Sequence, residues 1–148
     1  MHYSIGESLW AQGLDDEAAP EFQKALRENP NDPRTNLYLA GIAVRQQRFQ
    51  EALSFLAIAQ TESGLHTMTK PLLHLLLGKC YLELKNFEKA KAELLLTVEA
   101  NPEDSEAHYL LARVYRKLGD EQGRARELEL FRTLKKTDNA ERVARRKP

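Results

Sequence analysis

The stretch LGKCYLELKNFEKAKAELLLTVEANP, Leu77 to Pro102, holds two amphipathic segments and a stop. In its first half the large-small pair Leu77-Gly78 is followed three places on by Tyr81, which places all three on one helical face. In its second half Ala90, Leu94 and Thr97 fall at helical spacing, and Asn101-Pro102 ends the run because proline cannot continue a helix. Such a segment reads as two helices packed face to face, with the glycine permitting close approach.

The pattern recurs in both directions. Ala18, Phe22, Ala25 and Asn29-Pro30 form one earlier copy, and Ala52, Leu56 and Ala59 another. Thirteen residues before each alanine stand Ile5-Gly6 and Leu39-Ala40, with Leu9 and Ala43 three places further. Leu111-Ala112 and Tyr115 open a fourth unit that continues through Arg124, Leu128 and Phe131. Positions 18 and 52 are 34 residues apart and positions 52 and 90 are 38 apart, a period of helix-pair size with a four-residue insertion. These residues, together with AHYLLARVYRKLGD from Ala107 to Asp120, resemble the tetratricopeptide repeat over nearly the whole chain. The resemblance implies an all-α fold, a right-handed α-solenoid of about four antiparallel helix pairs. Residues 1–137 are expected to form the repeat domain and 138–148 a short, disordered basic tail carrying Arg142, Arg145, Arg146 and Lys147.

Helices are expected at about 2–12, 16–29, 33–47, 49–63, 70–85, 87–101, 105–118 and 121–136. Asp32 and Asp104 are placed to cap, Pro33 to start a helix, and Gly13 and Gly119 to turn the chain with positive φ. Gln47-Arg48 and Lys85-Asn86 occupy the equivalent turns without glycine, at some cost. Pro20 predicts an irregular first turn. The insertion Glu62 to Thr69, with His66, reads as a tolerated surface connection. Because Met1-His2-Tyr3 aligns with Ala107-His108-Tyr109, the first helix starts uncapped. Both ends of the array are therefore expected to present apolar surface and to drive weak self-association.

Composition narrows the function. The 148 residues carry 22 basic and 22 acidic side chains, a balance that argues against a dedicated nucleic-acid binder. The first 74 residues lean acidic and the remainder basic. One cysteine, Cys80, excludes an intramolecular disulfide and reads as a buried, inert thiol. No apolar run is long enough to span a bilayer, no signal peptide is present, and a cytoplasmic location is favoured. The carboxylates alternate with Lys and Arg on outward faces, and no phosphate loop or nucleophile elbow occurs, so no catalysis, metal or cofactor is expected. His2, His74 and His108 share one repeat position, where the family often carries a bulky aromatic residue, and their recurrence reads as packing.

The resemblance also implies which positions line the inner wall of the solenoid. They are Tyr3, Ser4, Glu7, Trp10 and Ala11 in the first unit, and Arg34, Leu37, Tyr38, Gly41, Val44 and Arg45 in the second. The third supplies Leu72, Leu75, Leu76, Lys79, Leu82 and Glu83, and the fourth Glu106, Tyr109, Leu110, Arg113, Arg116 and Lys117. A water-facing wall with this many apolar residues implies a noncatalytic scaffold with a groove for a protein or peptide partner; the alternatives are a structural or regulatory fragment of a longer repeat array or multidomain enzyme, and a chaperone-like cradle for a client. The expected contacts are Tyr3, Trp10, Leu37, Tyr38, Val44, Leu72, Leu75, Leu76, Lys79, Tyr109, Arg113 and Arg116. Tyr3 and Glu7, Leu37 and Gly41, or Leu75 and Lys79 do not supply the Lys and Asn of the family's carboxylate clamp.

Overall fold

A computed structural model describes residues 2–61 and 70–146. The expected loop Glu62 to Thr69, the start at Met1 and the end at Lys147 lie outside the described residues. Eight helices are present among the described residues: α1 (His2–Ala11), α2 (Asp15–Glu28), α3 (Pro33–Arg45), α4 (Phe49–Thr61), α5 (Lys70–Glu83), α6 (Phe87–Ala100), α7 (Ser105–Leu118) and α8 (Glu121–Arg146). Each odd-numbered helix packs on the next even-numbered one, and the four pairs stack so that α3, α5 and α7 also touch the preceding even-numbered helix.

The local chemistry sets these boundaries. Asp32 accepts from the Thr35 amide at 2.9 Å and Asp104 from the Ala107 amide at 3.1 Å, so each satisfies a free donor at a helix start. The four turns inside the pairs all place a residue in the left-handed region: Gly13 (φ 77), Gln47 (φ 60), Lys85 (φ 65) and Gly119 (φ 79). The geometry is thus conserved along the stack even where glycine is not, and Gln47 and Lys85 carry the steric cost. Pro20 lies inside α2, deeper than an irregular first turn, and the helix runs through it.

Between the helices of a pair the contact is close. A Cβ on Gly78 would lie 2.6 Å from Leu94 Cγ, and one on Gly6 would lie 2.8 Å from Phe22 Cε1. The buried alanines Ala18, Ala52 and Ala90 are fully covered, as are Phe22, Leu56 and Leu94 one turn later. The core is therefore a row of clusters, each shared by two adjacent pairs.

The end of the chain departs from expectation. The last helix does not stop near Lys136 in favour of a disordered tail; α8 continues to Arg146 and is 26 residues long, against 13 or 14 for α2, α4 and α6. Residues 137–146 contain no glycine or proline and include Ala140, Glu141, Arg142, Ala144 and Arg145, all good helix formers.

Candidate interaction groove

The inner helices α1, α3, α5 and α7 lie side by side, and their contacts decide which wall residues are available. Leu37 (0% exposed), Leu76 (4%), Leu75 (9%), Tyr38 (8%) and Val44 (9%) are buried in the free chain. The continuous apolar strip expected from the sequence is thus largely interior. Leu37 and Leu76 share one core cluster, and Leu75 joins Leu82, Leu110 and Leu111 in another, because these positions face the seam between successive inner helices. Leu72 is half-buried against the first of these clusters. Of the expected contacts, only Tyr109, Arg113 and Arg116 are exposed, while Tyr3, Trp10, Leu72 and Lys79 are half-exposed.

At the amino-terminal end the wall is closed by aromatics. The Tyr38 ring stacks on Phe22 at 5.3 Å with 4° between planes and meets Trp10 edge-on at 4.9 Å. Gly41 lies beneath the indole, where a Cβ would stand 3.5 Å from Trp10 Nε1, an ordinary contact distance. The Tyr38 hydroxyl donates to Glu7 at 2.9 Å, and burial, then this carboxylate, raises its pKa above the ordinary phenol value. Arg34 lies over Tyr3 and Arg45 over Trp10, at 4.9 and 4.6 Å from the ring centroids.

An open groove begins beyond Trp10, along the carboxyl-terminal halves of α3, α5 and α7. It encloses about 310 Å³. Its floor is apolar, formed by Val44, Leu82, Leu110 and the half-buried Phe49, and its rim is charged, with Arg45, Lys79, Glu83 and Arg113. Gln47 and Phe49, from the α3–α4 turn and the start of α4, are the two lining residues that the repeat pattern does not place on the wall. That pattern confines the wall to inner helices, whereas the left-handed turn at Gln47 brings the start of an outer helix to the groove mouth.

The rim cations are already paired. Arg45 reaches Asp15 at 2.6 Å, Lys79 reaches Glu106 at 2.5 Å, and Arg113 reaches Glu83 at 3.5 Å. Each pair joins two adjacent repeats. The pairs are substantially exposed, so each is worth about 0–1 kcal/mol, weak enough for a partner's carboxylate to displace.

The recurrent histidines are packing residues with specific partners. His2, His74 and His108 each place Nδ1 on a glutamate 19 residues later, Glu21 at 2.8 Å, Glu93 at 2.6 Å and Glu127 at 2.5 Å. The last pair is buried, at 6% and 7% side-chain exposure, and Nε2 of His108 donates to the Pro102 carbonyl at 2.7 Å. With Nε2 committed as a donor, His108 and Glu127 hold a proton between Nδ1 and Oε2. In the second repeat Asn36 replaces the histidine and its amide donates to the Pro30 and Asp32 carbonyls, while the partner position is Phe55. Cys80 is fully buried, and burial pushes its thiol up to about 11. Among the described residues, no helix is long and apolar enough to cross a membrane.

Comparison with known proteins agrees with this architecture. Two sequence models described as tetratricopeptide repeat match residues 2–64 and 68–120. A curated protein of Gallus gallus, DnaJ homolog subfamily C member 3, is 26% identical over 126 residues, covering 78% of this chain and 25% of that protein. The chain thus spans about a quarter of that relative's length. Among solved structures, MamA 41-end from Desulfovibrio magneticus RS-1 superposes with a TM-score of 0.73 at 20% identity, over 92% of this chain and 75% of that one. The structure titled APC/C hetero-tetramer Cut9-Hcn1 gives a TM-score of 0.80 at 18% identity, over 90% of this chain and 26% of that one. These likenesses show the fold, a right-handed α-solenoid of helix pairs.

Proposed function

The chain belongs to the tetratricopeptide repeat family, a family of protein-interaction scaffolds, and from that premise we propose that it is a noncatalytic module holding a short segment of a protein partner in the groove between α3, α5 and α7. The observation that carries this reading is the groove's composition. An apolar floor of Val44, Leu82 and Leu110 lies beneath three cations and one carboxylate. That arrangement suits an apolar side chain flanked by acidic residues. The apolar residue displaces water from the floor, and the flanking carboxylates exchange for Asp15, Glu83 and Glu106 on the rim cations. Because the exchange replaces ion pairs rather than creating them, and Val44, Leu82 and Leu110 are already largely covered, the gain comes mainly from the half-buried Phe49 and the rim, and binding weaker than about micromolar is expected.

Panning a randomised peptide library on the purified protein tests the reading. Enriched peptides should carry a bulky apolar residue next to Asp or Glu and should lose binding to the Lys79→Glu, Arg113→Glu double variant, whose far-UV spectrum should be unchanged. Enrichment without that pattern, or equal binding to the variant, would refute the groove assignment.

A further inference from the structure

The two ends of the stack are not equivalent. Ile5, Leu39, Leu77 and Leu111 occupy one repeat position, and the last three are 4%, 2% and 0% exposed because each lies in a cluster with the preceding outer helix. Ile5 is 45% exposed. The opposite end is closed: Phe131 stands where the other outer helices have Ala25, Ala59 and Thr97, and its ring packs on Tyr109 at 5.3 Å. Bulk at that position obstructs the close approach another inner helix would need, so α8 does not offer the surface that α2, α4 and α6 offer.

What α8 offers instead is its projecting half. Residues 135–146 are all exposed, a segment of about 18 Å at 1.5 Å per residue, against about 15 Å for α1. At 100° per residue Arg132, Lys135, Lys136, Arg142 and Arg146 fall within an arc of about 120°, with Asp138 and Glu141 outside it. Val143, 54% exposed, lies inside that arc. On the other end of the molecule Glu17, Glu21 and Glu28 share one flank of α2, within about 40° of one another, on the side away from Ala19 and Leu26, which join the cluster shared with α3; Lys24 lies on the same flank and pairs with Glu21 at 3.2 Å, which leaves Glu17 and Glu28 as its uncompensated charges. Glu21 reaches across to His2, one turn from Ile5. Residues 2–32 carry seven carboxylates and two cations, and residues 132–146 carry six cations and two carboxylates.

We propose that the exposed α1 face, with Ile5 at its centre and the α2 carboxylates along its edge, docks the basic half of α8 from a second copy of this chain. Val143 then covers Ile5, and the basic arc meets Glu17 and Glu28. The two surfaces differ, so the contact is head-to-tail and leaves a free head and a free tail. It builds open chains rather than closed dimers. Like surfaces do not pair, because two acidic α2 flanks repel each other.

Sedimentation velocity on the full chain, from micromolar to near-millimolar concentration at low and high salt, tests the proposal. Mass should grow past the dimer with concentration and fall with added salt. Ile5→Glu and Arg142→Glu should each weaken association by about tenfold, and Glu17→Lys should do the same. The Glu17→Lys, Arg142→Glu double variant, with both signs reversed, should recover most of the loss. A strict monomer at every concentration, a closed dimer, or association indifferent to all of these variants overturns the proposal. So does a monomer whose α8 binds an oligonucleotide or anionic vesicles, which would make a polyanion the occupant. The groove variant Lys79→Glu, Arg113→Glu should associate normally, so this result and the peptide-binding result fail independently.

Discussion

Replacing His108 by alanine isolates a buried carboxylate. Glu127 keeps only 7% of its side chain exposed, so after the change its carboxyl has neither water nor its hydrogen-bond partner, and the Pro102 carbonyl loses its donor. Removing one member of a buried pair costs about 3–5 kcal/mol. The same substitution at His2 meets a different setting. There the two side chains are 35% and 19% exposed, water replaces the lost partner, and the cost is small. His74, with 25% and 20%, falls between. The expected order is therefore His108→Ala well above His74→Ala, with His2→Ala last, although all three remove the same contact at the same spacing.

Urea unfolding followed by far-UV circular dichroism measures the series, and a shift in midpoint at constant slope gives the difference in stability. A control separates the loss of the pair from the loss of volume. His108→Phe with Glu127→Leu fills the site with apolar atoms and should lie within about 1 kcal/mol of wild type or above it, since a hydrophobic replacement avoids desolvating either charge. If His108→Ala costs no more than His2→Ala, the reasoning from burial is wrong. If the double variant is as damaged as the single one, the site needs its polar contacts for more than charge balance.

Leu76→Glu, which would be silent if the residue faced water, should lower stability by at least about 3 kcal/mol, because Leu76 is buried with Leu37 and Leu77; thermal melting reads this directly. Lys85→Gly should raise stability by up to about 1 kcal/mol by relieving a left-handed backbone, and Gly13→Ala, which meets no atom within 4 Å, should lower it by about 1–2 kcal/mol for the same reason. Cys80 should react with iodoacetamide at pH 8 at least about 100-fold more slowly than in the urea-unfolded chain, since its thiol is pushed up to about 11; the stability tied to this buried neutral thiol is complete below the ordinary thiol range and fades as pH rises toward that value. Hydrogen bonds from His2 and then Lys24 hold the Glu21 carboxyl below the usual range, so its contribution is present above that range and is lost as pH falls through the lowered value; carboxyl NMR titration should show the midpoint moving up in His2→Ala.

The fold was legible because the repeat period is carried by residues whose sizes are fixed by helix packing. Ala18, Ala52 and Ala90 must be small and Phe22, Leu56 and Leu94 large wherever two helices touch, so counting from one to the next recovers the pairs. The groove was harder to read. Leu37, Tyr38, Leu75 and Leu76 lie on the correct face of the correct helices, but periodicity gives the direction of a side chain and not how far the neighbouring inner helix covers it. The seam between α3 and α5 buries what a single helix would expose. The long α8 is hard to read for a different reason: the charge of 138–146, with Val143 as its one large apolar residue, suggests disorder, while the absence of any glycine or proline from Thr137 to Lys147 points the other way.

The histidine pairs were written in the sequence in a form that needs the structure to decode. Within one chain the repeats act as an alignment: histidine and glutamate occur together three times, and in the second repeat both are absent, replaced by Asn36 and Phe55. Joint presence and joint absence is what a direct contact produces, yet a separation of 19 residues means nothing until the two helices of a pair are known to face each other there. The rim ion pairs follow another logic, because Arg45 with Asp15, Lys79 with Glu106 and Arg113 with Glu83 all join neighbouring repeats rather than the helices of one pair. Under the proposed function, a partner carboxylate that takes over these cations competes with Asp15, Glu83 and Glu106, while the apolar clusters that hold adjacent repeats together stay covered, so the exchange at the rim leaves the stack itself intact.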